Sequence, residues 1–176
     1  IYQYKRLTKA SVAMSLKGQT LGLIGSPNVL RIALQSILFQ ISVLHSYQDV
    51  EFITLFEEKD YENQWKEWRW LPHNKMRHFQ FSQSLRNSHR IRGIVYNAQS
   101  QELVLDAFHK VLTKRRQQLR KARDKKIEFK PIYIFSIVEE YWLRDHEINE
   151  FLVEEMSLYG VIVIWAKEEV SQLPET

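Results

Sequence analysis

The stretch "GSPNVLRI", residues 25–32, has the spacing of a phosphate-binding loop without its residues. That motif reads G-x-x-x-x-G-K-[ST] between a strand and a helix. Its glycines let backbone N–H groups wrap a phosphate, its lysine reaches the β- and γ-phosphates, and its hydroxyl ligates Mg²⁺. Here Gly25 opens the frame, and Leu30, Arg31 and Ile32 stand where Gly, Lys and Ser/Thr belong. Leu30 puts a branched side chain where none fits. Arg31 keeps the charge in a different geometry. Ile32 offers no oxygen, and Pro27 removes one N–H. The stretch therefore reads as a strand-to-helix turn. Its helix start still has N–H groups and a positive dipole end to offer an anion. Because burying an apolar side chain is worth roughly 2 kcal/mol, Leu30 and Ile32 are both expected to turn into the core. The loop is expected to be collapsed, without room for a triphosphate.

A second place for chemistry is Glu139-Glu140, directly after the apolar run "PIYIFSIV". Carboxylates at such a strand end hold Mg²⁺ and orient water when a phosphate loop faces them. Without that loop, a solvated strand end or a local ion pair explains them equally. The basic cluster Lys114, Arg115, Arg116, Arg120, Lys121, Arg123, Lys125 and Lys126 would suit a nucleic-acid backbone or an anionic lipid surface. It has no interleaved aromatics, and cations also favour the carboxyl end of a helix. Arg115 falls on the apolar stripe, so a buried partner is expected for it, Glu139 and Glu140 being nearest to hand. Trp65, Trp68 and Trp70 cannot share one helical face; at least one is expected in the core and one at an interface. The six histidines (His45, His73, His78, His89, His109 and His146) have no metal-site spacing, and no cysteine assists them. No nucleophile motif is present.

These residues need elements to position them. "SVAMSLKGQTLGLIG" reads as a hairpin turning at Lys17-Gly18, and Ser26-Pro27 as a helix start with Ser26 as cap. Leu30, Ala33, Leu34, Ile37, Ile41 and Leu44 give the next helix an apolar face, interrupted by enough polar residues to make it globular rather than membrane-spanning. "DVEFITLF" is a strand, "YENQWKEWRW" a short aromatic helix halted by Pro72, and "HFQF" and "RIRGIVYN" two short strands. The longest helix begins near Ser100, with Val104, Phe108, Val111, Leu112, Leu119 and Ala122 inward. "PIYIFSIV" and "VIVIWA" are continuous apolar runs of doubly covered strands, separated by a helix over "HEINEFLVEEMSLY". This alternation predicts an α/β fold: a three-layer sandwich, Rossmann-like, with a mostly parallel sheet and helices on both faces. The 176 residues suit one domain, 1–176. The chain lacks cysteine, which excludes thiolate chemistry and a disulfide framework. It opens on Ile1 without a signal-peptide pattern and is expected to be part of a longer protein. The net charge of +4 conceals an acidic end: residues 139–176 hold ten Asp/Glu and only Arg144 and Lys167. That asymmetry suits either an interaction feature or two faces pairing within one fold.

"LGLIGSPNVLRIALQSILFQISVLHSYQDVEFITLF", then "WRWLPH", then "SQLPE" resemble the degenerate, P-loop-NTPase-like domain of type VII secretion proteins of the EssC/EccC type. These belong to the FtsK/SpoIIIE superfamily, and the Firmicute EssC branch is the preferred side. The resemblance covers nearly the whole chain. It implies a single, catalytically inactive ATPase-like domain between a membrane anchor and the first true ATPase module. Gly25, Leu30, Arg31 and Ile32 would be its degenerate phosphate-loop remnant. Glu139 and Glu140 would be the remnant of the Asp-Glu pair of active relatives. It further implies no catalytic residues, no metal and no cofactor in this domain, with ATP and Mg²⁺ in the parent's other modules. The domain would couple or regulate those modules during protein export at the cytoplasmic face of the cell membrane. Its partners would be neighbouring domains of the same chain, adjacent subunits and membrane secretion components, with no specific nucleic acid. Two alternatives stay open: a DNA-binding domain of an FtsK-like translocase, and an active nucleotide hydrolase with an aberrant loop. The isolated domain is expected to be monomeric or weakly associated.

Overall fold

A computed structural model describes residues 20–77, 91–122 and 127–174. Five strands, β1 (Leu21–Ile24), β2 (Val50–Leu55), β3 (Ile94–Val95), β4 (Ile132–Ile137) and β5 (Val161–Lys167), form one sheet in the order β1-β5-β4-β2-β3. Every pairing is parallel, with Leu21 opposite Ile164, Ile162 opposite Ile134, and Ile134 opposite Phe52. β2 and β5 are buried at every position and β4 at all but its first. Parallel strands covered on both faces need such unbroken apolar runs.

Side-chain alternation divides the core in two. On one face, Phe52, Ile134, Ile162 and Ile164 meet Leu34, Leu38 and Ile41 of α1 (Pro27–Leu44). On the other, Tyr133, Phe135, Val161 and Val163 meet Val104, Leu105, Phe108 and Leu112 of α3 (Ala98–Ala122). Asn97 and Ser100 start α3 by capping each other's backbone: Ser100 Oγ accepts from Asn97 N–H at 3.0 Å, and Asn97 Oδ1 from Ser100 N–H at 2.9 Å. α1 begins at Pro27 as expected. Ser26, however, makes no side-chain cap; its carbonyl instead accepts the Leu30 N–H at 2.9 Å.

Three expected elements come out differently. The aromatic segment after β2 is not a plain helix: a turn of α-helix, α2 (Glu58–Asp60), runs into a π-helical turn over Tyr61–Trp65 and a 3₁₀ turn over Lys66–Trp70. This keeps Trp65 stacked on Phe56, with ring centroids 4.4 Å apart, and leaves Trp70 exposed. The segment 146–159 is likewise not one helix. It forms the single turn α4 (Asn149–Leu152) and a 3₁₀ turn Met156–Tyr159. A continuous helix would set Phe151 and Met156 about 140° apart, whereas the break lets both reach the core. "RIRGIVYN" contributes only Ile94–Val95. At Gly93 the backbone presses against β2 so closely that an added Cβ would lie 2.0 Å from Phe52 O. "HFQF" and the first hairpin arm, Val12 to Gly18, lie outside the described residues.

A candidate site at the carboxyl edge of the sheet

All five strands point their carboxyl ends to one edge, where open α/β sheets place their ligands. β1 ends at Ile24 and Gly25 turns the chain, its N–H donating to Lys167 O at 3.2 Å. Gly25 has an ordinary φ, and a Cβ there would meet nothing closer than Val29 at 3.4 Å. Leu30, in the second-glycine place, is 6 % exposed and belongs to the core. Arg31 is held by its own helix, Nη2 donating to Asn28 Oδ1 at 2.8 Å and Nη1 to Gln35 Oε1 at 3.2 Å. Ile32 does not turn inward: it lies about 200° around the helix from Leu30 and is exposed.

Across the edge, Val138 and Glu139 N–H both donate to Leu55 O at 3.2 Å, which fixes the end of β4. Glu139 Oε1 accepts the Tyr141 N–H at 2.7 Å. Glu140 Oε1 pairs with Lys167 Nζ at 3.1 Å. The Lys167 side chain is 10 % exposed and Glu140 nearly half, so the cation comes from inside the fold. Lys167 thus touches both remnants, its carbonyl on Gly25 and its ammonium on Glu140. The sequence reading missed it, although a lysine closing the run "VIVIWAK" was a signal for a cation at the sheet edge. Lys59 pairs with Glu57 nearby, which raises its pKa.

The loop is not collapsed in the expected sense. A depression of about 730 Å³ lies over it, reaching from Pro27, Leu30 and Arg31 past Glu57 to Glu139 and Lys167. Three of its four cations are engaged by polar partners, Arg31 by Asn28 and Gln35, Lys59 by Glu57 and Lys167 by Glu140, while Arg144 lies 5.5 Å from the Tyr141 ring. Room for a ligand therefore exists, but Leu30 fills the second-glycine place, Ile32 brings no hydroxyl to the Ser/Thr place, and Glu140 already has a counter-ion.

Arg115 is buried as expected but sits at the opposite edge from Glu139 and Glu140. α3 returns against the strand direction, so a residue late in the helix reaches the start of β4. Nη1 donates to Tyr159 O at 2.5 Å and Nη2 to Pro131 O at 2.7 Å. The guanidinium lies 5.0 Å from the Phe129 ring and 4.8 Å from the Tyr133 ring, and burial lowers its pKa. Arg116 turns to the acidic segment, donating to Glu150 at 3.0 Å and lying over Phe151. Lys114, Arg120 and Lys121 are exposed, and Arg123, Lys125 and Lys126 fall outside the described residues. His109 meets Glu150 at 3.0 Å and His146 meets Asp106 at 3.2 Å. His73 is buried, stacked on Phe52 and bonded to His45 O at 2.9 Å. His78 and His89 lie outside the described residues.

The parallel sheet, its flanking helices and the strand–turn–helix at 20–44 define an α/β domain of the P-loop-NTPase-like kind. No protein-family profile matches the chain. Along 98 % of its length it is similar to the ESX secretion system protein EccC of Geobacillus thermodenitrificans, at 28 % identity, and to the type VII secretion system protein EssC of Staphylococcus aureus, at 29 %. It spans 11 % of either relative. Among solved structures, EssC ATPases 2 and 3 from Geobacillus thermodenitrificans superpose with a TM-score of 0.61 at 11 % identity, over 90 % of this chain and 30 % of that one. ATPases 2 and 3 of Thermomonospora curvata EccC, in complex with a signal sequence peptide, superpose with a TM-score of 0.58 at 16 % identity, over 88 % of this chain and 28 % of that one. The chain is thus similar, along nearly all of its length, to a part of EccC and EssC proteins of type VII secretion systems.

Proposed function

We propose that this domain is a non-catalytic ATPase-like module of a type VII secretion translocase, coupling or regulating the ATPase modules by contact with neighbouring domains and subunits. Its parent would be anchored in the cell membrane with this domain on the cytoplasmic face, and ATP and Mg²⁺ would serve the parent's other modules. The observation that supports this most is Lys167, whose buried ammonium takes the counter-ion position at Glu140. A Mg²⁺ there would meet a like charge, and the position that should bring it a hydroxyl holds Ile32, which turns away. Leu30 supports it further, because its side chain is part of the core and cannot leave the loop bare.

The test is to titrate MgATP while following the amide signals of residues 25–32 and 139–140, together with phosphate release. We expect no saturable shift below millimolar nucleotide and no hydrolysis. Saturation at micromolar ATP, abolished by Arg31→Ala, would replace this reading with an active hydrolase. DNA binding through Lys114, Arg120 and Lys121 should be weak, indifferent to sequence and lost with salt. Sequence-specific binding that survives high salt would favour the DNA-translocase alternative.

A further inference from the structure

His146 sits between α3 and the turn leading into α4, and its two ring nitrogens have opposite tasks. The backbone N–H of Ile148 donates to Nδ1 at 3.0 Å. A backbone N–H can only donate, so Nδ1 is bare and the neutral ring carries its proton on Nε2. Nε2 lies 3.2 Å from Oδ1 of Asp106 on α3. The ring thus clasps the segment carrying α4 to α3. Behind it, Ile148 and Phe151 are fully buried. The backbone before it is tightly turned. Asp145 has a left-handed φ of 57°, and Asn149 Nδ2 donates to Leu143 O at 2.6 Å.

We propose that this clasp is a proton-sensitive switch: when His146 takes up a proton, the Ile148 N–H is freed and the start of the acidic segment loosens from α3. The cause is an opposition built into the contact. A protonated ring carries N–H on both nitrogens. Nδ1 would then present a donor to the donor of Ile148, and that hydrogen bond cannot survive. The surroundings nonetheless favour the charged ring. Asp106 is already in contact, Glu102 lies one turn before it on α3, and His109 and Lys110 lie one turn after. In the ring's own segment stand Asp145, Glu147 and Glu150, with Arg144 over the Tyr141 ring. His109 meets Glu147 and Glu150, and Arg116 meets Glu150 and Glu154. Carboxylates outnumber cations here, so the field draws in the proton that the backbone contact resists. The His146 side chain is 12 % exposed, which leaves solvent a path to it. The release is local, because the Arg116–Glu150 pair and buried Phe151 still hold the segment. This goes beyond the proposed role and does not depend on whether the domain binds nucleotide.

Nitrogen NMR of the 176-residue chain tests it between about pH 8 and about pH 5, the span in which imidazoles ionise. At the upper end, His146 should be the tautomer protonated on Nε2. On acidification the Ile148 amide should shift with the same midpoint as the His146 ring. Its hydrogen exchange, corrected for the intrinsic pH dependence, should rise about 10-fold, the loss of one hydrogen bond. Amides in the middle of β4 should not change. His146→Asn keeps an acceptor for the N–H two residues on, as in an Asx turn, so its Ile148 amide should stay protected throughout. His109→Gln removes the other histidine of this seam and should leave the Ile148 response intact. The proposal is overturned by the Nδ1-protonated tautomer, by a ring that stays neutral over the whole span, or by Ile148 exchange that ignores the protonation of His146. A response that persists in His146→Asn, or vanishes in His109→Gln, overturns it equally.

Discussion

Arg115 and Lys167 are both cations drawn into the fold, one at each edge of the sheet. The carbonyls of Tyr159 and Pro131 and two aromatic rings hold Arg115. These carbonyls cannot be resolvated if the guanidinium is removed, so Arg115→Ala should lower stability by about 3 kcal/mol. Arg115→Lys should recover only part of this, because one ammonium cannot reproduce the planar fork. Urea unfolding of both variants checks it, and a parental midpoint for Arg115→Ala would contradict it. Lys167 is different in kind. Its partner Glu140 is half in solvent, so the pair contributes little to stability; its effect is on what charge the sheet edge can accept. The residues of the phosphate-loop remnant were readable in advance, because Leu30 and Ile32 lack the required groups whatever the fold does. Lys167 was not, because Glu140 is its neighbour only through the β4–β5 pairing.

Between elements, the charge asymmetry resolves in part into a contact. α3 sets His109 and Arg116 against Glu147, Glu150 and Glu154 of the segment carrying α4. His109 and then Arg116 lower the pKa of Glu150. Tyr159, beneath them, is pushed up to about 12 by burial and by its hydrogen bond to Glu154. A carboxylate with a depressed folded pKa stabilises at pH above its unfolded value, and that contribution is lost as pH falls through the folded one. Acidification below the ordinary glutamate range, about 4.3, should therefore cost the parent chain stability that Glu150→Gln never had. Melting curves at pH 7 and pH 3 test this: the gap between the two proteins should narrow on acidification, and a constant gap would refute it. The same segment shows why element boundaries were harder to read than element types. The buried strands and α1 follow from local periodicity. The break at 153–155 follows from the need of Phe151, Met156 and Tyr159 to reach one core, a demand imposed by α3 and β5 and invisible locally.

For the molecule as a whole, the sheet order has a consequence in time. Among the described residues, β1 touches the rest of the sheet only through β5, pairing Leu21 with Ile164, so the first strand described lacks that sheet partner until the last one is in place. Closing so long a loop is slow compared with forming α1 or α3. A chain cut after Gly160 should therefore keep helix signal yet lose its cooperative thermal transition, since β4 would lack one neighbour and β1 both sheet and partner. A sharp melt in that truncation would show that the sheet does not depend on β5. During synthesis, α1 emerges with its apolar residues bare, and its inner face must wait for the carboxyl end of the domain before it finds a complete sheet. Gly25, Glu140 and Lys167 come together at that same late moment, so the edge of the sheet is finished only when the domain is.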